Sequence, residues 1–460
     1  MLAFAIGLYL LLNIGIGVWA SRRVTTTRDF VVAGSRLPLV LAASATFATW
    51  FGSETIMGAP TEFIEHGVLG IIEDPFGAAL CLFLVGALFA RRFYEMNLIT
   101  LCDFYKARFG RSAELLSAIL MIPSYFGWIA AQLLAMGIVL QVVLGWSLLA
   151  CILFSSVVVV IYTILGGMWS ISITDFLQTI TIIVGLVILA VIMFNQVGGI
   201  EPLTANLPDG FFRFYPETSF KSYVEYVAAW ITIGLGSIPQ QDVFQRVMAA
   251  KSAKVAVRAS LLSSFMYLTI ALIPLFIGLC GHILYPDLGG DSQMIIPTMV
   301  MLHTGLPIQI LFFGALVSAI LSSTSSAVMA SAAVLGENVI KFFRPTLSDW
   351  QLLRIIRVSI VLITGIGIIM AVGAQSIFEL VAASSAFSLV SLFVPMVAGF
   401  YWKRANTPGC LLSMGVGITT WFLCIEIDTE YPPMMYGLLA STLGMLVGVV
   451  FGKSPAPGVA

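Results

Sequence analysis

Long apolar runs alternate with short polar connectors from one end of the chain to the other. A helix needs ~20 mostly apolar residues to cross a ~30 Å hydrocarbon core. Such runs stand at roughly 2–20, 38–61, 70–90, 114–143, 147–165, 174–195, 223–240, 257–283, 307–338, 355–374, 377–401, 409–426 and 434–452, which predicts thirteen spans. Backbone polar groups in hydrocarbon must be satisfied internally, so these runs are read as helices. The alternating pattern of an outer-membrane barrel is absent. The pattern predicts an all-α integral membrane protein with thirteen transmembrane helices.

Two of the runs are interrupted. The second reads Ala45-Thr-Phe-Ala-Thr-Trp-Phe-Gly-Ser-Glu-Thr-Ile-Met-Gly-Ala-Pro60, and the seventh Ile231-Thr-Ile-Gly-Leu-Gly-Ser-Ile-Pro-Gln-Gln-Asp242. Gly and Pro weaken helical hydrogen bonding, and freed backbone groups are tolerable at membrane depth only where they line a cavity. A single interruption reads simply as a kink. A matched pair five helices apart is what two inverted five-helix repeats produce, and it marks a central binding site.

The ninth run carries seven hydroxyls between Ser318 and Ser331: Ser318, Ser322, Ser323, Thr324, Ser325, Ser326 and Ser331. Ala319, Ser322 and Ser323 share one helical face, and Ser322, Ser325 and Ser326 repeat the spacing one step on. Small residues let membrane helices pack closely, and serine often bonds its own backbone. Seven together, beside two broken helices, point to oxygen ligands for a hard monovalent cation.

Composition sharpens the class. The chain is 59% apolar and 10% charged, with mean hydropathy +1.03, against about 25% charged in a soluble domain. This excludes a cytoplasmic enzyme, a disordered protein and a nucleic-acid binder. A net charge of −1 implies no polyanionic partner. With the N-terminus outside, 20 of the 22 Lys and Arg fall on the cytoplasmic side, leaving only Arg213 and Lys221 outside, the asymmetry expected of a correct orientation. No positive charge precedes Arg22, so the first run is not read as a cleaved signal peptide. No appended soluble domain is expected. Six cysteines show neither pairing nor metal spacing, and His66, His282 and His303 all fall on the outer side, so no catalytic or metal cluster is expected.

Intramembrane acids are functional candidates by default: Glu54, Glu73, Asp74 and Asp175 qualify. Glu225, Asp242, Glu337 and Glu379 lie nearer span ends, where they read as interfacial. Glu54 serves equally as an acceptor for unwound backbone or as a substrate contact. Trp50, Trp128 and Trp230 lie deep in spans, where aromatics pack or hold a cation by the π-face.

Four segments resemble the sodium/solute symporter family, which includes proline, galactose, sialic-acid and choline carriers. They are Ala48–Gly58, Gly166–Asp175, Ile238–Arg246, and the stretch from Ser318 through Ser323 to Glu337-Asn338. The resemblance runs from the first span to about residue 405. It implies a leucine-transporter-type 5+5 inverted repeat with flanking helices: 1–37 an extra helix and loop, 38–196 and 197–405 the repeats, 406–460 two further helices. It implies a first Na⁺ site from the carbonyls of Ala48, Phe51 and Ala319 and the hydroxyls of Ser322 and Ser323. A second site, found in some members, matches Asp175, Ser322, Ser325 and Ser326. The substrate region matches Trp50, Thr55 and Asp74, with Trp128, Gln240 and Gln241 facing it. Gln240 stands where the choline branch has an aromatic residue, Ser325 where it has an aspartate, and Trp50 where the proline branch has an aspartate. The substrate is therefore left open among amino acid, quaternary amine, sugar and carboxylate.

The expectation is a sodium-coupled importer of a small polar solute in the plasma membrane, working as a monomer without organic cofactor and not as an enzyme. A proton-coupled permease, with Asp175 or Glu54 carrying the proton, is the alternative. A sensor without transport would be expected to carry a cytoplasmic signalling domain.

Overall fold

The polar connectors start and stop the helices. A computed structural model describes residues 1–22, 24, 26–205, 207–286, 292–374 and 376–452; Arg23 and Lys453, counted in the charge asymmetry, lie outside the described residues. Thr26 with Asp29, Thr100 with Asp103 and Ser348 with Gln351 form reciprocal capping boxes, while Ser147, Ser219, Ser252, Ser376 and Asn406 cap with one side-chain bond each. Each cap satisfies an amide that the first helical turn leaves unpaired.

In chain order the principal helices are α1 (Leu2–Ser21), α2 (Leu39–Trp50), α3 (Ala59–Gly70), α4 (Ile72–Met96), α5 (Leu101–Phe109) and α6 (Arg111–Leu144). Next come α7 (Leu148–Leu165), α8 (Gly167–Val197), α9 (Phe220–Gly236), α10 (Gln241–Ala249) and α11 (Ala253–Leu284). The last are α12 (Leu306–Phe343), α13 (Asp349–Gly373), α14 (Ile377–Tyr401), α15 (Thr407–Glu426) and α16 (Pro433–Phe451). Among the described residues the only non-helical pairing is an isolated bridge between Leu37 and Ala250.

By length and composition ten of these helices can cross a membrane. The other three expected spans are α1, whose apolar stretch is the shorter Leu2–Ile16, and the two interrupted runs, which their breaks divide into α2/α3 and α9/α10. The sixth span also begins earlier than residue 174, at Gly167. In its polar opening Ser172 and Thr174 return their hydroxyls to the carbonyls of Met168 (2.8 Å) and Ser170 (3.1 Å), so these polar groups are satisfied within the helix.

α12 forms the centre: every residue from Phe312 to Val334 is buried, with α1, α2, α6, α8 and α13 packed around it. Leu, Ile, Val and Phe cover the periphery, among them Val157, Phe265, Leu362, Ile369 and Leu443, an apolar surface that suits lipid contact. All six cysteines are buried and free.

α7 and α8 are continuous but for Gly167, whose φ of +58° turns the chain against the short helix Thr27–Val32. A Cβ there would stand 2.7 Å from the Phe30 ring and 3.1 Å from its carbonyl. Gly167→Ala therefore combines a disfavoured backbone with a clash, and should lower stability by about 1–3 kcal/mol. The midpoint of thermal unfolding in detergent reports it. Gly415→Ala, at a helical site with nothing within 4 Å, serves as the neutral comparison.

Candidate functional site

α2 ends because Phe51 (φ −78°, ψ 73°) leaves the helical region; the chain resumes in a wide turn over Glu54–Gly58 before α3. The groups freed by the break find partners on other helices. The Ala48 carbonyl accepts Ser323 Oγ of α12 at 2.9 Å. The Trp50 carbonyl lies within hydrogen-bond distance of Tyr267 Oη of α11 (3.0 Å) and Thr55 Oγ1 (3.4 Å). The Ser53 amide donates to Gln132 Oε1 of α6 at 3.3 Å. α9 breaks similarly before Gln240. A Cβ on Gly236 would stand 2.3 Å from the Ser385 carbonyl, so only glycine lets α9 and α14 meet there. The hydroxyls of Ser237 and Ser385 then meet at 3.0 Å.

Between the two breaks lies a small cavity, lined by Trp50, Glu54, Asp74, Trp128, Tyr267 and Ser237, among others. Its polar groups are fixed from behind. Gln132 Nε2 donates to Glu54 Oε2 at 2.7 Å. Tyr267 Oη donates to Asp74 Oδ1 at 2.7 Å and is hydrogen-bonded to Thr55.

Toward α8 and α10 the serine face of α12 meets charged groups. Ser322 Oγ donates to Asp175 of α8. Arg246 of α10 lies 3.4 Å from Asp175 and donates to Ser326 Oγ and Thr49 Oγ1, both at 2.6 Å. Arg246 is 3% exposed and Asp242 1%. From the sequence the first counts as a cytoplasmic charge and the second as interfacial. Both are instead inside the protein, because the break before Gln240 turns α10 inward; Tyr125 Oη both bonds the Asp242 carboxylate and accepts its amide (2.9 Å).

The expected residues therefore fall into three groups. Ala48, Ser322 and Ser323 come together with Asp175 and Ser326; Phe51 stands at the α2 break, Ala319 one turn from Ser323, and the buried Ser325 hydroxyl has no partner. Trp50, Glu54, Asp74 and Trp128 line the cavity, with Thr55 directly behind Tyr267. Glu73, Gln240 and Gln241 do not line it. Glu73 belongs to the part of α4 packed on α9. Gln240 Nε2 approaches Ser388 at 3.4 Å. Gln241 holds the start of α5 through the Leu101 amide (2.7 Å) and the Ile99 carbonyl (3.1 Å), while Thr100 beside it bonds Asn338 of α12 (2.7 Å). Trp230 sits in an aromatic cluster with Phe76, Phe214 and Tyr226. Gln132, Tyr267 and Arg246 were missed, although each is a polar residue in or beside an apolar run.

The chain matches the family described as "Sodium:solute symporter family" over residues 30–417. It is 27% identical to the high-affinity choline transporter 1 of Caenorhabditis elegans, over 90% of this chain and 76% of that one. It is 28% identical to the osmoregulated proline transporter OpuE of Bacillus subtilis, over 98% and 95%. Among solved structures, a substrate-bound, outward-open Na⁺-coupled sialic acid symporter superposes with a TM-score of 0.85 at 20% identity, covering 99% of each chain. That likeness shows a shared fold of the leucine-transporter type.

The Arg246–Asp175 pair carries a structural prediction. Removing one member of a buried ion pair leaves a charge uncompensated and costs about 3–5 kcal/mol. Arg246→Gln should therefore lower the thermal midpoint sharply, and adding Asp175→Asn in the same chain should recover part of the loss.

Proposed function

Because the chain belongs to the sodium:solute symporter family, we propose that it imports a small polar organic solute by alternating access, driven by inward flow of Na⁺. The observation that carries this reading is the 2.9 Å contact of Ser323 Oγ with the freed Ala48 carbonyl. It brings a hydroxyl of the central helix to a backbone oxygen that helix α2 no longer uses. A Na⁺ ligated by the carbonyls of Ala48, Phe51 and Ala319 and the hydroxyls of Ser322 and Ser323 has the oxygen environment a hard cation selects.

Bound there, Na⁺ holds the broken α2 against α12 and favours the solute-binding arrangement by positive coupling. Its release to the cytoplasm loosens that contact and shifts the equilibrium toward the inward-facing state. The second set, Asp175, Ser322, Ser325 and Ser326, is engaged by Arg246, whose guanidinium already balances the Asp175 charge. A second Na⁺ enters there only when Arg246 withdraws, so one Na⁺ is bound while the pair is closed. The solute occupies the cavity at Trp50, Glu54, Asp74 and Trp128.

In this reading the chain has thirteen spans, its N-terminus outside and its C-terminus in the cytoplasm. Residues 38–196 and 197–405 form the inverted repeats, 1–37 and 406–460 flank them, and one chain in the plasma membrane suffices. Backbone pairing of Leu37 with Ala249 and Lys251 (both 2.9 Å) supports it, as do the bonds of Arg108 to Gly399 and Trp402 (both 3.1 Å). These contacts join connectors that the thirteen-span topology assigns to the cytoplasmic side.

The test needs no identified solute. At equal ionic strength and fixed pH, Na⁺ should raise the thermal midpoint of the purified protein relative to K⁺. Ser322→Ala with Ser323→Ala should weaken apparent Na⁺ affinity by about tenfold or more, the cost of losing ion ligands. An undiminished Na⁺ response in that variant overturns the ion assignment; a response to pH but not to Na⁺ supports proton coupling instead.

A further inference from the structure

The cavity also constrains the class of solute, an inference that rests on the transport reading above. Two carboxylates, Glu54 and Asp74, line one cavity, and among the described residues no Lys, Arg or His lines it. Both carboxylates accept hydrogen bonds, Glu54 from Gln132 and Asp74 from Tyr267. Asp74 Oδ2 has no partner although the residue is 1% exposed, and the indole N–H of Trp128, at 5% exposure, has none either. Arg246, the nearby internal cation, is committed to Asp175, Thr49 and Ser326. The site thus holds an unused anionic acceptor and an unused donor, both buried, where native interiors leave few such groups unmatched.

We propose that the solute is a small protonated amine bearing a hydrogen-bond acceptor. Its N–H⁺ meets Asp74 Oδ2 with Glu54 alongside, and its carboxylate, carbonyl or hydroxyl oxygen takes the Trp128 indole N–H. The ammonium lies among the aromatic side chains of Trp50, Trp128 and Tyr267, where cation–π attraction adds to the pairing. A neutral sugar leaves two buried acids without a counter-charge. A carboxylate lacking an amine adds a third negative charge. A quaternary ammonium keeps the π contact but offers no N–H to Asp74 Oδ2, and charge-assisted hydrogen bonds are the strong ones.

The experiment is a thermal-shift and calorimetric panel on the purified full chain in Na⁺ and, separately, K⁺ buffer. The panel sets small primary and secondary amines and amino acids against their analogues: ethanolamine with choline, ethylene glycol and glycolate; alanine with its trimethylated betaine and lactate; and a set of monosaccharides. At least one amine should bind, its quaternary analogue should bind about tenfold more weakly or worse, and Asp74→Asn should weaken the amine by a similar factor, the scale of one lost charge-assisted bond. Glu54→Gln, which keeps the side-chain shape beside Gln132, is the second variant and should also weaken it. The proposal is overturned if no amine binds, if a quaternary analogue matches its amine parent, or if sugars or simple carboxylates bind in preference. It is also overturned if Asp74→Asn abolishes stabilisation by Na⁺ alone, since the carboxylate is then an ion ligand. Amine shifts of equal size in Na⁺ and K⁺ support the amine class and refute sodium coupling, so the two failures are distinguishable.

Discussion

A guanidinium kept from water must find partners for its N–H groups inside the protein, and the packing around Arg246 is organised by that demand. Its bonds reach Thr49, on the last turn before the α2 break; Met168 and Asp175, on the opening turns of α8; and Ser326, on the central helix. Arg246 itself lies on α10, just past the break that ends α9. One buried cation therefore fixes both interrupted helices relative to the two helices that carry most of the serine and aspartate oxygens. Buried ion pairs add little stability over apolar packing but resist misalignment strongly, because a broken pair leaves a charge stranded. The alignment of α2, α8, α10 and α12 is what this pair secures.

The oxygens of α12 divide along the same line. Thr324 and Ser331 return their hydroxyls to their own helix, at Ile320 (2.6 Å) and Ala327 (2.8 Å). Ser322, Ser323 and Ser326 reach across to other helices. The hydroxyls of the cluster are thus sorted by helical face into those that bond their own helix and those that reach other helices. Ser322 and Ser326, one turn apart, look toward α8 and α10, and Ser323 toward α2.

Much of the architecture was legible because hydrocarbon punishes exceptions. Apolar run length located the helices, and glycine, proline and polar residues inside runs located both breaks. The sequence also pointed to Glu54, Asp74, Trp50 and Trp128, which do line the cavity. What it could not supply was direction. The family resemblance implies that Gln240 and Gln241 face the solute, yet the turn of the chain sends Gln241 to the backbone of residues 99 and 101. Glu73 and Asp74 are neighbours in sequence, but only Asp74 lines the cavity. Span ends drawn from hydropathy alone leave Arg246 in a cytoplasmic connector and Asp242 at an interface. A helix that re-enters after a break carries its charges inward, and no window average registers that.

The attachment of α5 extends the consequence to a connector. Gln241 holds two backbone groups at the start of this helix, and Thr100 there holds Asn338 near the C-terminal end of α12. α10 and the far end of the central helix are thereby tied to one short helix. A displacement of α10 must carry α5 with it or break two hydrogen bonds, so the segment after the α9 break and the end of α12 move as linked parts, although no residue of α5 lines the cavity.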